Sequence, residues 1–259
     1  MSAFIHPTAI VSPTAEIGAD CYIGAFSIVG DAVVLGDKVH LESHVVIDGK
    51  TSIGDETRIY PFVSIGLAPQ DLKYGGEPTA TEIGRRNHLR EFVTVHRGTA
   101  GGGGLTRIGD DNLLMAQAHV AHDCRLGNEI IMANAATLAG HVEIADRANI
   151  GAYSGVHQFC RVGLEAFVGG YSVVVKDAPP FAVIQGNHAK CYGLNRVGMK
   201  RRGYAKETIE KLHRAYHLLL SAKLNTTQAV EKIKVEIKDC AEVDLLVNFI
   251  ESSKRGVVK

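Results

Sequence analysis

Three stretches carry the residues best suited to chemistry: VAHDCR (120–125), LAGHVE (138–143) and VHQFCR (156–161), each starting 18 residues after the last. At this spacing His122 is followed by Gly140 and then Gln158, His141 lies 18 beyond Asp123, and His157 adjoins Gln158. His119 sits just before the first stretch. A histidine titrating near neutrality, a carboxylate to orient it and a bare amide facing a developing oxyanion are what a general base needs to activate a substrate hydroxyl. His122, Asp123 and the Gly140 N–H supply one candidate for each task. A nucleophilic mechanism needs an exposed Ser or Cys beside a base, and none is evident. A metal centre needs ligands converging on one ion, and His119, His122 and His141 keep that alternative open.

Residues 18 apart meet only if the chain winds with that period. Steps of six from Ile5 land on aliphatic residues through Ile65, again from Ile83 to Val95, and again from Ile108 to Val174, giving 26 hexads. Four residues after each aliphatic comes a second, smaller set, such as Cys21, Ser27, Val33, Ala118, Cys124, Ala136 and Cys160. A period of six fits neither a helix nor a hairpin meander. It fits short strands separated by regular corners, each sending one large and one small side chain inward. This predicts a parallel β-helix, a prism with three strands per turn. Its narrow interior explains the absence of Trp and the 6% aromatic content. Eight to nine turns at about 4.8 Å give a rod roughly 40 Å long. Glycines such as Gly18, Gly24 and Gly151, one residue after the aliphatic, are expected to supply unusual backbone angles at the corners.

If each break in register lengthens a corner without deleting a segment, Ile65 and Val95 lie below Val120. The insertions 67–82 and 99–107 then leave from the wall that carries His122. The first holds Gln70, Asp71, Lys73 and Tyr74. The second holds Gly101 to Gly104 and reads as a mobile loop, lacking the Lys and the strand–helix setting of a phosphate loop. His96 falls one rung below the His119-Val120 segment. Loops raised on a rigid scaffold are where binding groups concentrate. Zinc carbonic anhydrases built on β-helices place their metal at a subunit boundary, but with a different histidine spacing.

Lys plus Arg and Asp plus Glu number 28 each, so no global field recruits nucleic acid or an anionic membrane. The N-terminus has neither a basic nor an apolar leader segment, and no stretch approaches the roughly 18 apolar residues of a membrane span. Five Cys without paired spacing suggest free thiols in a reducing compartment, hence the cytoplasm. Cys21, Cys124 and Cys160 fall at small inward positions and read as structural. His6, His40, His44, His188, His213 and His217 receive no role. After Pro179-Pro180 the register ends. Helical patterns follow over 206–221, from Thr226 or Thr227 to about Lys238, and over 242–252. The expected organisation is a β-helix over 1–180 and a linker with a helical cap over 181–259.

The order of motifs resembles the acyl-carrier-protein-dependent UDP-N-acetylglucosamine 3-O-acyltransferases of lipid A synthesis. The resemblance spans essentially the whole chain: APQDLKY (68–74), HRGT (96–99), AHVAHDC (118–124), AGH (139–141), HQFC (157–160), DAPP (177–180), QGNHA (185–189) and KRRG (200–203). It implies a left-handed prism and a cytoplasmic homotrimer with active sites between subunits, without metal or cofactor. It implies that His122 deprotonates the sugar 3-hydroxyl, Asp123 orients it, and the Gly140 N–H receives the oxyanion. Gln70, Asp71, Lys73, His96, His119, His141, His157 and Gln158 would line the sugar and acyl cleft. Asn195, Arg201 and Arg202 would hold the nucleotide diphosphate. Gly170 would form the acyl floor, and its lack of a side chain implies a long 3-hydroxyacyl group. Val197 departs from the family, where an acidic nucleotide contact can stand. Lys200, Arg201, Arg202, Lys206, Lys211 and Arg214 offer a docking surface for the acidic carrier protein. A coenzyme A-dependent acetyltransferase is the other reading on this fold.

Overall fold

The computed structural model describes residues 2–221 and 223–259. Each hexad forms one short strand that pairs in parallel with the strand one turn on, so Tyr22 faces His40 and Arg125 faces Glu143. The 26 hexads become 26 strands on three walls. Wall one begins with Phe4–Ile5, wall two with Ile10–Val11 and wall three with Glu16–Ile17. The coil is left-handed. Inside it, the aliphatics from Ile23 to Val174 and the small residues four positions on are almost wholly buried, Cys124, Ala136 and Cys160 among them. Burial pushes the Cys124 thiol up to about 12, as befits an inert packing residue.

The corners differ from expectation. The left-handed backbone falls three residues after the aliphatic, on residues other than glycine: Asp20, Phe26, Lys38, His44, Asp123, His141 and Phe159 all have φ between 56° and 62°. Gly18 and Gly151, at the position expected to be unusual, have no positive φ. They are needed for close approach, because a Cβ on Gly18 would lie 2.5 Å from the Gly36 carbonyl on the next rung. These glycines serve contact between rungs and not unusual backbone angles.

The N-terminal end of the prism is open, with Ile5 and Ile10 exposed. The other end is closed. Beyond Pro180 the chain is more than a linker: Ala182–Gln185 extends wall one in parallel, and Lys190–Leu194 pairs with it antiparallel. Four helices follow, α1 (Arg196–Arg201), α2 (Lys206–Leu220), α3 (Thr226–Glu236) and α4 (Ala241–Glu251). α3 is capped by Asn225, not Thr226 or Thr227, through a reciprocal capping box with Gln228. The apolar face of α2 seals the prism, with Leu212, Ala215, Tyr216 and Leu219 buried and the Tyr216 hydroxyl donating to the Pro180 carbonyl. Among the described residues no helix is long and apolar enough to cross a membrane.

Candidate active site

The corners between walls two and three stack His122-Asp123, Gly140-His141 and His157-Gln158 on successive rungs. The His141 N–H donates to the His122 carbonyl at 3.0 Å, and the Phe159 N–H to the Gly140 carbonyl at 3.2 Å. The left-handed φ at Asp123 turns its side chain under the edge, where the carboxylate is fully buried. His122 Nδ1 lies 2.8 Å from Asp123 Oδ2, while its own side chain is 16% exposed. With Nδ1–H donating to the carboxylate, Nε2 keeps its lone pair. The His122 ring lies against Gly140, where a Cβ would sit 2.6 Å from His122 Cε1. The Gly140 N–H makes no hydrogen bond among the described residues.

A buried carboxylate is costly unless it is hydrogen-bonded. The second insertion meets that need, which sequence reasoning missed. The Thr99 N–H donates to Asp123 Oδ1 at 2.9 Å and the Thr99 hydroxyl to Oδ2 at 2.7 Å. Each bond to a charged group contributes about 1.5–3 kcal/mol. Side chains at Gly98 or Gly102 would collide with the carboxylate. The glycine-rich stretch, expected to be a mobile loop, is thus a cover fitted over Asp123. The signal was present in HRGT and the glycines after it, but only the fold shows what they close on.

Both insertions leave from wall two, above strands that stack under His119-Val120. They run between Leu67 and Ala80 and between His96 and Leu105. In the first, Asp71 accepts from the Lys73 N–H in a tight turn, and its charge acts on His141. Gln70 and Lys73 are exposed on the same loop. Arg97 ties the loop down through the Tyr74 hydroxyl at 3.0 Å. On wall two, His96 and His119 meet edge to face at 5.2 Å, and His119 Nδ1 lies 2.7 Å from the Thr94 hydroxyl. Burial pulls His96 down to about 4 and lowers His119 and His141 below the ordinary imidazole value, so all three are neutral at pH 7. Two rungs above His122, His157 and Gln158 are exposed. Arg255 from the C-terminal segment reaches His157 Nδ1 at 3.3 Å, a neighbour that no periodicity could foretell.

The remaining predicted residues lie elsewhere. Gly170 is exposed at an edge between walls one and two, across wall two from His122. Asn195 caps α1, accepting from the Gly198 N–H at 3.0 Å. Arg202 stands on the edge between walls three and one, 3.7 Å from Glu129 and 3.8 Å from Glu165. Arg201 closes α1 nearby and is exposed. Within one chain these groups do not meet His122. The basic cap is also weaker than its residue count suggests, since Lys206 pairs with Glu210, Lys211 with Glu207 and Arg214 with Glu236.

His122, Asp123 and His141 have ligand atoms within 4.8 Å of one another. That is a different set from the one the sequence suggested for zinc. Both carboxylate oxygens already receive donors, so an ion would have to displace them.

Known structures share this arrangement of prism, insertions and cap. The LpxA of Acinetobacter baumannii matches at 44% identity over 99% of this chain and all of its own length, with a TM-score of 0.96. The chain belongs to the UDP-N-acetylglucosamine acyltransferase family. A second member, LpxA of Bacteroides fragilis, a UDP-N-acetylglucosamine acyltransferase, matches at 39% identity, 99% and 100% coverage and a TM-score of 0.96. The UDP-N-acetylglucosamine acyltransferase of Arabidopsis matches at 31% identity over the same shares, with a TM-score of 0.88. The family model described as UDP N-acetylglucosamine O-acyltransferase, domain 2, covers residues 177–258, the cap and the C-terminal segment. Membership makes the protein an acyltransferase.

Proposed function

We propose that the protein transfers a 3-hydroxyacyl group from acyl carrier protein to the 3-hydroxyl of UDP-N-acetylglucosamine, the opening step of lipid A synthesis in the cytoplasm. The observation that carries the mechanism is the His122–Asp123 contact under its sealed cover. His122 Nε2 takes the proton of the sugar hydroxyl as that oxygen attacks the thioester carbonyl carbon. The carbonyl oxygen becomes an oxyanion, which the Gly140 N–H receives. Collapse of the tetrahedral intermediate breaks the carbon–sulfur bond, and the thiolate regains a proton from His122. No covalent enzyme intermediate and no metal enters this scheme. Asp123 holds the imidazole through both transfers.

Asp71, Lys73, His119, His141, His157 and Gln158 serve the sugar and the thioester end of the chain, with Gln70 and His96 beside them. Between His122 and Gly170 the outward residues of wall two are Thr137, Gly155 and Val173, a shallow path for a long acyl chain. The nucleotide diphosphate falls to Asn195, Arg201 and Arg202. Their place on another edge supports a homotrimer in which a neighbouring copy brings them to His122. Lys200 and Arg201, which have no ion-pair partner among the described residues, are better candidates for carrier-protein docking than Lys206, Lys211 or Arg214. The test is mass spectrometry of the product formed from UDP-N-acetylglucosamine with a panel of 3-hydroxyacyl carrier proteins and the matching acyl-coenzyme A thioesters. The expected product is a single 3-O-acyl sugar nucleotide from a long-chain carrier thioester. Equal turnover of coenzyme A thioesters would contradict the donor assignment.

A further inference from the structure

The edge between walls three and one carries its own stack of corner residues, Glu129, Arg147 and Glu165, spaced by 18 and all with φ between 54° and 59°. As at Asp123, the left-handed turn brings a carboxylate under the edge, and Glu165 is 4% exposed. Its Oε1 accepts from Arg147 Nε at 2.8 Å and from the Tyr204 hydroxyl at 2.9 Å. Its Oε2 is buried and has no hydrogen-bond partner. A buried acceptor left unpaired calls for a reason.

That oxygen lies 3.8 Å from Arg202 Nε. Glu129, more than half exposed, stands 3.7 Å from Arg202 Nη1 and contributes less through solvent. At these separations the carboxylates steer the guanidinium without taking its N–H groups. The Arg202 side chain donates no hydrogen bond among the described residues, so its planar fork stays free for a phosphate. The charges of Glu129, Arg147, Glu165 and Arg202 cancel, so the cluster orients a cation and does not attract an anion by net field. These four residues, with Gly203 and Tyr204, line a cavity of about 490 Å³.

Glu165 also meets the start of α1. Asn195 caps that helix through Oδ1, while its Nδ2 donates to the Glu165 carbonyl at 3.5 Å. Tyr204 is held in turn, its N–H donating to the Met199 carbonyl at 3.2 Å and its ring meeting buried Phe181 edge to face at 6.0 Å. One buried acid thus stands between two of the residues assigned to the nucleotide diphosphate. An ion pair that only stabilised the prism would be complete with Arg147 and would need no bare oxygen facing Arg202. We propose that Glu165 is a positioning residue for the acceptor: fixed by Arg147 and Tyr204, its free oxygen aims the Arg202 guanidinium at the diphosphate. The inference rests on the reading of Arg202 as a diphosphate ligand.

The experiment measures kcat and both Michaelis constants for Glu165→Gln, Arg202→Ala and the double variant. Glu165→Gln keeps an acceptor for Arg147 and Tyr204 but removes the charge that faces Arg202. It should raise the constant for UDP-N-acetylglucosamine about fivefold, leaving kcat and the constant for the acyl donor unchanged. Arg202→Ala should raise the same constant at least about tenfold, and adding Glu165→Gln to it should raise it no further. Tyr204→Phe, which loosens the carboxylate but keeps its charge, should raise the constant about twofold and tests the proposal if Glu165→Gln melts early. Effects of Glu165→Gln and Arg202→Ala that multiply, or a Glu165→Gln loss confined to kcat or to melting temperature, would overturn the positioning role alone. An unchanged acceptor constant in Arg202→Ala would overturn the reading of Arg202 and this inference with it.

Discussion

Two edges of the prism use the same backbone position for opposite ends. Between walls one and two, the left-handed corner residues include Phe26, His44, Phe62 and Phe92, whose rings stack at 4.9–5.1 Å and stay in solvent, Phe62 being 50% exposed. Between walls two and three, the same position on successive rungs holds Asp123, His141 and Phe159, and Asp123 is 4% exposed. Backbone angles and rung spacing are alike. The difference lies in what rises beside the corner: one edge stands bare, while the other has two insertions, one of which delivers Thr99 to the carboxylate. A hexad repeat thus supplies addresses at fixed intervals, and an insertion gives one address a buried, hydrogen-bonded carboxylate by excluding water from it.

The largest effect expected from this contrast is at His122. His122→Ala should lower turnover by about 10² to 10⁴, the range for a lost general base, with an unchanged melting temperature. Gly140→Ala comes next, because the new methyl would displace the His122 ring. Turnover should fall about a hundredfold, as for a reacting group misplaced by about 1 Å. Gly155→Ala, on wall two with nothing within 4 Å of its Cβ position, adds a methyl without a collision, and its melting temperature should be unchanged. Thr99→Val removes the hydroxyl bond to Asp123 but keeps the backbone one, and should reduce turnover about tenfold. On the bare edge, Phe62→Ala should leave turnover within about twofold and lower stability by about 1 kcal/mol, the worth of an exposed ring pair.

His96 offers a smaller, pH-dependent test. Burial lowers it from 6.5 to about 4, so between those values the unfolded chain binds a proton that the native one refuses. Stability contributed by the neutral ring is present above pH 6.5 and is lost as pH falls toward 4. A urea titration across that window should show a shallower decline for His96→Gln than for the native protein.

Periodicity made much of this legible. The aliphatic hexads named the inward residues, and the 18-residue turn alone placed His122 over Gly140 and Gln158. Three things lay outside its reach. A repeat does not say which corner residue takes positive φ, because glycine was needed for contact between rungs and side chains such as Asp123 tolerate the turn. It does not say where an insertion folds back, so Thr99 and Gly102 were unreadable. Nor does it locate the two chain ends of a site, so Arg255 arrived unannounced, while Gly170 and Arg202 turned out to stand on other edges.

The most direct test of the His122–Asp123 unit is a double-mutant cycle on turnover with His122→Ala, Asp123→Asn and the pair. If Asp123 acts by orienting His122, the double variant should be no slower than His122→Ala alone. Losses that multiply would mean that the carboxylate works independently of the imidazole, contrary to a mechanism in which it holds the base.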